Sequence, residues 1–229
     1  MITYHDEVTQ GSEEWLSLRC GILTASEMKL IVTPTLKPAS NDKERAHLYE
    51  LLAQRITGYV EPRYVSDDML RGMEGEIEAR LQYAKTYAPV QEVGFITNDK
   101  WGFTIGYSPD ALVGDDGLIE CKSRNQKYQI MTLCNYVSAD TIDPDFMIQC
   151  QTGLLVSERK WIDLVSYCGG LYMATVRVFP DEKIQEAIVT AATAFESRLK
   201  DAYAKYESVL GSPNARLIPT ERRIIQEIY

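Results

Sequence analysis

The chain has 229 residues, 45% hydrophobic content and a formal net charge of −9 at pH 7. This length and apolar content allow a sizeable buried core and favour one domain, or one domain with appendages. The acidic charge argues against a generic nucleic-acid-binding protein, because the binding surface of such proteins is usually basic.

The N-terminal segment and the cysteines restrict the location and the metal chemistry. No basic stretch followed by an apolar one begins the chain, and no run approaches the ~20 apolar residues of a membrane span, so a cytoplasmic location is expected. The five cysteines are Cys20, Cys121, Cys134, Cys150 and Cys168. Their odd number and wide spacing predict free buried thiols rather than disulfides or a zinc site. The two histidines lie in no ligand pattern, so a metal site must use carboxylates and bind a hard cation.

Near the N-terminus, a short segment combines a tryptophan, an arginine and several hydroxyl residues. Thr24 and Glu27 have capping-box spacing, which predicts that Thr24 begins a helix and that Ser26 lies in its first turn. A helix N-terminus beside an arginine, here Arg19, is a ready anion site. An ordinary capped helix, with Arg19 paired to a surface acid, is the alternative.

Two amphipathic helices follow. The first is predicted at 42–57 and ends at Gly58. Its apolar residues are Leu48, Leu51, Leu52 and Ile56. The second begins at Ser66, and its apolar residues predict a buried stripe. The stripe consists of Leu70, Met73, Ile77, Leu81 and Ala84. Gly72 and Gly75 each cost roughly 1 kcal/mol relative to alanine in a helix, so we expect another segment to approach the backbone there.

The remaining pattern predicts strands, then a helix, then strands and a last helix. Four consecutive strands are predicted at 92–97, 101–107, 110–113 and 118–122, with turns at 98–100 and 114–117. Asp143 caps a helix that starts at Pro144 and runs to about 157; strands at 160–167 and 172–179 and a helix from 181 to about 210 complete the order. This order predicts an α/β sandwich around a central mixed sheet. We expect a single domain over 1–229, with a motif-bearing core at about 11–179 and a C-terminal helical segment at about 181–229.

One predicted hairpin carries the residues that bear most directly on chemistry. Asp110 precedes a short apolar strand and a turn, and Glu120 and Lys122 follow it. Two carboxylates and a lysine in this order suit metal-dependent phosphodiester hydrolysis, which needs divalent cations near the scissile phosphate. An exposed ion pair of Glu120 with Lys122 is the alternative.

The register of this hairpin decides whether the carboxylates meet. A three-residue loop at 115–117, with Gly117 in the left-handed conformation, would pair Gly114 with Leu118, Leu112 with Glu120 and Asp110 with Lys122. The even-numbered side chains would then share one face, with Asp110 and Glu120 as diagonal neighbours roughly 7–8 Å apart. A hydrated Mg²⁺ can bridge that span. A four-residue loop would place the two acids on opposite faces.

Two other polar residues interrupt apolar helix faces. Glu76 borders the predicted buried stripe, where partial burial suits a metal-site carboxylate, although an ion pair with Arg80 at i+4 explains it nearly as well. Gln149 and Gln151 interrupt an apolar helix, and a buried amide must find a partner. A phosphate, a metal-bound water, a catalytic lysine or a backbone group could be that partner.

Taken together, these residues resemble the alkaline exonucleases of the phage lambda type, a YqaJ-like viral recombinase family with a restriction-endonuclease-like PD-(D/E)xK core. The resemblance covers about 11–175. It rests on the joint order of Trp15-x₃-Arg19-x-Gly21-x₂-Thr24-Ala25-Ser26, Glu76, Ser108-Pro109-Asp110, Glu120-x-Lys122 and Gln149-x-Gln151. The residues at 123–127 do not match the lambda pattern closely, and no motif can be aligned from 182 onward.

The resemblance implies a role for each residue of the hairpin. Asp110 and Glu120 would be metal ligands, with Glu76 as an additional acid and the Cys121 backbone carbonyl completing the inner shell. Lys122 would orient or activate the attacking water.

The other motif residues are implied to complete the site and to bind the DNA end. Gln149 would lie in the same site as the metal ligands. Arg19, Ser26 and Ser108 match the residues that bind the terminal 5′ phosphate in this family. Such a contact would explain why digestion begins at an end and why a phosphorylated end is preferred.

The function implied by the resemblance is a Mg²⁺-dependent 5′–3′ exonuclease, with two ions and with Mn²⁺ as a substitute. It would digest one strand of linear duplex DNA to mononucleotides and leave a 3′ overhang for recombination by strand annealing. The resemblance also implies a toroidal homotrimer, a single-strand annealing partner and a phage or prophage gene. Related nucleases bind an iron–sulfur cluster through four clustered cysteines, a pattern that this sequence lacks, so no such cluster is expected. The alternatives are a restriction or repair endonuclease and a non-catalytic recombination scaffold.

Overall fold

A computed structural model describes residues 1–62 and 66–222, which form eight β-strands and six α-helices. The strands are β1 (Ile2–His5), β2 (Leu23–Thr24), β3 (Phe95–Asn98), β4 (Ile105–Tyr107), β5 (Ala111–Val113), β6 (Gly117–Ser123), β7 (Trp161–Tyr167) and β8 (Ala174–Val178). The helices are α1 (Glu13–Arg19), α2 (Asp42–Thr57), α3 (Asp67–Thr86), α4 (Gln126–Met131), α5 (Pro144–Ser157) and α6 (Glu182–Leu210). Shorter 3₁₀ turns lie at Met28–Leu30 and Val137–Ala139, and a π-helical turn lies at Thr132–Tyr136. Within the described ranges, none of the helices has the length and apolar content to cross a membrane.

The strands form two four-stranded mixed sheets rather than the single central sheet that the sequence predicts. The first has the order β1-β3-β4-β2, with β2 parallel to β4, and the second has the order β5-β6-β7-β8, with β6 parallel to β7. Pro109 lies between β4 and β5 and has no backbone N–H to donate to a continuous ladder. The predicted α/β class, with mixed strands flanked by helices, is confirmed, whereas the prediction of one sheet is wrong.

The helix boundaries follow the local capping signals. Asn41 accepts a hydrogen bond from the backbone of α2, which ends at Gly58 with φ +61°. Asp143 caps α5 through the Asp145 N–H, with Pro144 in the first turn, and Asp181 caps α6. The predicted helix at 42–57 is therefore confirmed, as are the helices predicted from Pro144 and from 181.

The strand boundaries and the N-terminal elements differ from the predictions. The strand predicted at 101–107 begins at Ile105, because Gly102 adopts φ +81° in a turn before it. The sequence reasoning missed β1, β2, α1 and α4. Thr24 is not a helix N-cap: it pairs with Gly106 of β4, and a 3₁₀ turn starts only at Met28. The predicted helix N-terminus at Thr24 is therefore wrong, whereas the predicted role of Arg19 and Ser26 in binding an anion does not depend on it.

Helix α3 packs on the second sheet through a face that contains Gly75, Ala79 and Tyr83 rather than through its predicted apolar stripe. Ala79 and Tyr83 are buried in the contact with this sheet, and a Cβ on Gly75 would lie 2.3 Å from Ser123 Oγ. The close approach expected at this glycine is confirmed, whereas Gly72 has nothing within 4 Å of its would-be Cβ. The stripe predicted to be buried is exposed, with Leu70, Met73, Ile77 and Leu81 between 49% and 57% accessible.

The second sheet lies between two apolar clusters. Leu112 and Leu118 face the larger cluster, which also contains residues of α5 and α6. Ala111, Ile119 and Cys121 face the smaller cluster under α3. Even-numbered and odd-numbered residues of the β5–β6 hairpin therefore point to opposite faces, as the pleat of a strand requires.

Helix α6 joins the core along its first half. Ile188, Phe195 and Leu199 are buried in the larger cluster, and Glu196 forms a bidentate pair with Arg55 of α2 at 2.8 and 2.6 Å. Arg55 also donates to the Gly21 carbonyl at 2.6 Å. The second half of α6 is exposed.

The five cysteines are free, as expected, but they are not all buried. Cys121, Cys150 and Cys168 are buried, Cys20 is partly buried and Cys134 is exposed. Cys134 lies in the π-helical turn. The sequence did not predict this turn or the exposure of its cysteine.

Candidate active site

The β5–β6 hairpin sets the positions of the acidic residues. Its register pairs Val113 with Gly117 and Ala111 with Ile119, so the loop is 114–116 and Gly114, with φ +52°, is the left-handed residue. The predicted loop at 115–117 is wrong by one residue, because Gly117 packs on Trp161, whose ring would lie 2.2 Å from an added Cβ. Moving a three-residue loop by one position shifts the pairing by two residues. The even-numbered side chains therefore still share a face.

Asp110 precedes β5 and is fixed against β6. Its backbone N–H donates to the Ile119 carbonyl at 3.2 Å, and its Oδ2 accepts the Cys121 N–H at 2.5 Å. On α3, Arg80 donates to the Asp110 carbonyl at 3.2 Å and pairs with Glu92 at 2.9 Å. These contacts of Arg80 differ from the Glu76 pair that the helical spacing suggested.

Glu120 lies at the centre of a hydrogen-bonded group. Lys122 Nζ lies 2.6 Å and Gln149 Nε2 lies 2.5 Å from Oε1 of the carboxylate. The Tyr107 hydroxyl donates to Oε2 at 2.8 Å. Strands β4 and β6 and helix α5 thus converge on one buried carboxylate. Gln149 has the carboxylate as its partner, whereas Gln151 donates to the Phe179 carbonyl at 2.8 Å.

Burial and neighbouring charges shift the pKa of Asp110, Glu76 and Lys122. Burial and the charge of Glu120 raise the pKa of Asp110 to about 8. Burial also raises the pKa of Glu76, on which the charges of Lys122 and Glu120 act. Burial acts to lower the pKa of Lys122, but the charges of Glu120 and Asp110 outweigh it and raise that pKa above its ordinary value.

These residues fit a hard divalent cation. Three acids, Asp110, Glu120 and Glu76, share one lysine, so the ionised group carries excess negative charge in a poorly solvated place. The raised pKa of Asp110 reflects its burial first and then the charge of Glu120, and a bound cation would neutralise the excess charge. Carboxylate and carbonyl oxygens are the ligands that Mg²⁺ and Mn²⁺ prefer.

A second acidic cluster lies apart from this group in the sequence. Potential ligand atoms of Glu27, His47 and Glu50 lie within 4.8 Å of one another among the described residues. His47 Nδ1 contacts Glu50 at 3.3 Å, and Glu27 accepts the Thr24 hydroxyl at 2.9 Å. The residues predicted to bind metal are not part of this cluster.

Trp15 brings together the residues predicted to bind the 5′ phosphate. Its indole N–H donates to Ser108 Oγ at 2.8 Å, and the Arg19 guanidinium lies 4.2 Å from its ring centroid. Arg19 also donates to Thr24 Oγ1 at 3.4 Å, and that oxygen lies 3.4 Å from Ser26 Oγ. We call these five residues the Trp15 group. Ser108 is two residues from Asp110, so the group adjoins the carboxylates.

Sequence reasoning missed three contributors to the site. Tyr107 lies directly before the Ser108 motif, but nothing in its type or spacing indicates a bond to Glu120. Trp15 belongs to the motif that contains Arg19, but the sequence predicted no role for it. Thr24 was predicted to be a helix N-cap. Tyr107 contacts a residue 13 positions away in the chain, and Trp15 contacts one 93 positions away. Thr24 contacts only near neighbours in the chain within this group.

A groove of about 600 Å³ lies between α3 and the end of β6. Ser123, Arg124 and Tyr167 line one side, and Arg71 and Glu74 of α3 line the other. Arg124 also contacts Asp143 at 3.4 Å and lies 4.9 Å from the Phe146 ring centroid. The two arginines of the groove are accompanied by two glutamates, Glu74 and Glu78, so the groove is of mixed charge.

Comparisons with known proteins identify a family and related solved structures. The profile of the YqaJ-like viral recombinase domain matches residues 14–160. The crystal structure of an alkaline exonuclease (LHK-Exo) from Laribacter hongkongensis is 31% identical, with a TM-score of 0.74 over 88% of this chain and 100% of that chain. The same enzyme in complex with dAMP gives 32% identity and a TM-score of 0.73 over the same shares of each chain.

A more distant structure supports the fold alone. A phage-related exonuclease from Haemophilus somnus 129PT is 12% identical, with a TM-score of 0.58 over 81% of this chain and 96% of that chain. No curated protein matches the chain. The profile match and the identity to LHK-Exo together show that the chain belongs to the YqaJ-like viral recombinase family and has the fold of its lambda-type alkaline exonucleases.

Proposed function

We propose that this nuclease is a Mg²⁺-dependent 5′–3′ exonuclease that degrades one strand of linear duplex DNA to mononucleotides. One observation carries the proposal: the buried Glu120 and the partly buried Asp110 and Lys122 form a group beside Ser108, which belongs to a cluster suited to binding phosphate. A scaffold protein has no need for acids held this close together against their own repulsion. The crystal structure of LHK-Exo in complex with dAMP, a mononucleotide, supports the same substrate class.

The residues of the acidic group would have two different roles in hydrolysis, metal binding and orientation of the attacking water. Asp110 and Glu120 would hold the metal, with Glu76 and the Cys121 carbonyl as further ligands, and Mn²⁺ would substitute for Mg²⁺. When bound, the metal supplies Lewis acidity at the scissile phosphate and a low pKa for the attacking water. Lys122 would orient that water, since its ammonium group already lies against Glu120 Oε1.

The Trp15 group would bind the terminal 5′ phosphate. Arg19 is stacked on Trp15, which restricts the guanidinium, and the hydroxyls of Ser26 and Ser108 lie beside the same network. A guanidinium with hydroxyl donors suits a doubly charged terminal phosphate better than a bridging phosphodiester. Hydrolysis from the 5′ end would leave a 3′ overhang, the substrate of a single-strand annealing partner.

A single assay separates the exonuclease from an endonuclease. Linear and covalently closed duplexes of equal sequence are incubated with Mg²⁺, with Mn²⁺ or with EDTA, and the products are resolved by chromatography. We expect mononucleotides from the linear, 5′-phosphorylated duplex with either ion, and no cleavage of the closed duplex. Cleavage of the closed duplex would support a restriction or repair endonuclease, and turnover in EDTA would exclude the metal mechanism.

Two exposed apolar surfaces support a ring of three identical chains. The α3 stripe consists of Met69, Leu70, Met73, Ile77 and Leu81. The α6 patch consists of Tyr203, Tyr206, Val209 and Leu210, which are 39–55% exposed. Monomeric proteins rarely expose large apolar patches, and two different patches on one chain allow a heterologous contact that closes into a ring. A ring around duplex DNA would also retain the substrate on a protein of net charge −9.

Light scattering and run-length assays test the ring. We expect a mass three times the chain mass of 26.0 kDa for the wild-type protein. Leu81→Lys and Val209→Lys should reduce the mass and shorten digestion runs when competitor DNA is added. Tyr49→Lys, at a tyrosine 63% exposed on α2, is the matched control and should change neither. A wild-type monomer that releases DNA every few nucleotides would exclude the ring.

A further inference from the structure

The carboxylate of Glu120 has two oxygens with different surroundings. Oε1 accepts from Lys122 and Gln149, and Oε2 accepts from the Tyr107 hydroxyl at 2.8 Å. The Lys122 side chain is 19% exposed, whereas Tyr107 is 1% exposed. A partly exposed lysine can move aside when a cation arrives, but a tyrosine packed in the core cannot. Oε1 is therefore the oxygen at which partners can exchange.

Helix α5 is shaped to receive the Tyr107 ring. A Cβ on Gly153 would lie 2.7 Å from Cε1 and Cζ of that ring, closer than real Cβ contacts allow. Gly153 follows Gln149 by four positions, so both residues lie on the same face of the helix, one turn apart. One face of α5 thus provides a donor to Oε1 and the space for the residue that donates to Oε2.

We propose that Tyr107 is a positioning residue, which holds Oε2 of Glu120 so that Oε1 faces the metal ion, and that Gly153 is required to admit it. The terminal torsion of a glutamate is broad, so one fixed oxygen is enough to set the plane of the carboxylate. Tyr107 also precedes Ser108 of the Trp15 group in the chain. The same end of β4 therefore orients the proposed metal ligand and supports the proposed phosphate site. The inference rests on the proposed function of Glu120.

The first test compares Tyr107→Phe with Tyr83→Phe. Tyr83 is also 1% exposed and also donates to a carboxylate, Asp163, at 2.6 Å, so its variant loses the same kind of bond elsewhere. The measurements are Mn²⁺ binding by electron paramagnetic resonance without DNA, and the Mg²⁺ concentration that gives half-maximal hydrolysis. Tyr107→Phe should weaken both by about tenfold, as is typical for residues that orient metal ligands, while the KM for DNA stays within twofold. Tyr83→Phe should leave both metal readouts within twofold.

The second test compares alanine substitutions at two glycines, Gly153 and Gly72. Gly153→Ala should reproduce the loss of metal affinity, whereas Gly72→Ala, in a helix with nothing near the added methyl, should not. Unchanged metal affinity in Tyr107→Phe, or an equal loss in Tyr83→Phe, would overturn the positioning role. Glu120→Gln separates the two proposals: if the wild type binds Mn²⁺ and this variant does not, the metal assignment stands and Tyr107 is judged on its own. If the wild type binds no Mn²⁺, the proposed metal-dependent function is wrong, and the proposed role of Tyr107 is wrong with it.

Discussion

The acidic group around Glu120 and the Trp15 group adjoin each other but are stabilised in opposite ways. The first collects carboxylates that repel one another around the buried Glu120, which accepts from donors on β4, β6 and α5. The second places a cation and hydroxyls on an aromatic ring. The acidic group has one lysine for three carboxylates, whereas the Trp15 group has an arginine and no carboxylate among its five residues. The net charge of the chain therefore does not describe the Trp15 group, and it does not by itself argue against a DNA substrate.

The largest effect that separates the two regions is expected from Asp110→Asn. Loss of this ligand should reduce hydrolysis at least about a hundredfold on both phosphorylated and hydroxyl ends, because the metal contributes several kcal/mol of charge stabilisation. At pH 7 the metal-free variant should unfold at a higher temperature, because asparagine removes the free-energy cost of keeping a proton on Asp110 in the folded state.

Asp116→Asn is the matched control for this variant. Asp116 lies in the turn of the same hairpin, and its side chain is 49% exposed and paired with Lys160. It should change neither rate nor stability appreciably. Full activity of Asp110→Asn would remove the metal site from the hairpin.

The next effect is expected from Lys122→Ala. Removal of the group that orients water should lower the maximal rate by about 10²-fold, the lower range for acid–base contributions. Calorimetry with Mn²⁺ should still show binding, because the carboxylates remain. Lys160→Ala, at a lysine 73% exposed, is the control. Loss of metal affinity in Lys122→Ala would give this lysine a role in binding the ion instead.

A smaller and selective effect is expected from Arg19→Ala. Digestion of 5′-phosphorylated ends should slow by about 10- to 100-fold, which corresponds to one or two charge-assisted hydrogen bonds, and hydroxyl ends should be affected far less. Rates on the two kinds of end give the comparison, with Arg45→Ala on the surface of α2 as control. An equal loss on both ends would assign Arg19 to the duplex track or to the structure.

The smallest effect is on the pH dependence of stability. The pKa of Asp110 is raised from 3.8 to about 8 on folding, so between these values the folded protein keeps a proton that the unfolded chain has lost. The free energy of unfolding without metal should therefore fall as pH rises from about 4 to about 8. Metal binding needs the ionised carboxylate, so its affinity should rise over the same interval.

Thermal unfolding at pH 6 and pH 8.5, with and without Mg²⁺, measures this effect. The rise in melting temperature caused by Mg²⁺ should be larger at pH 8.5, and Asp110→Asn should weaken this difference. If Mg²⁺ raised the melting temperature of the wild-type protein equally at the two pH values, the assignment of the raised pKa to Asp110 would be contradicted.

The sequence by itself determined the features that depend on neighbours in the chain. Asn41 and Gly58 bound α2, and Asp143 and Pro144 begin α5, because caps act within one turn. The shared face of the even-numbered hairpin residues also follows from local geometry, since any odd loop preserves it. The motif order was enough to indicate the family.

Only the tertiary structure decided which surfaces meet. The large apolar residues of α3 predicted a buried stripe, yet Gly75 and Ala79 let the opposite face approach the sheet more closely. Gly117 entered β6 because Trp161 occupies the space where its side chain would be. The bond from Tyr107 to Glu120 joins two strands that lie in different sheets. Such contacts depend on the packing of distant segments, for which the spacing of residues along one segment contains no information.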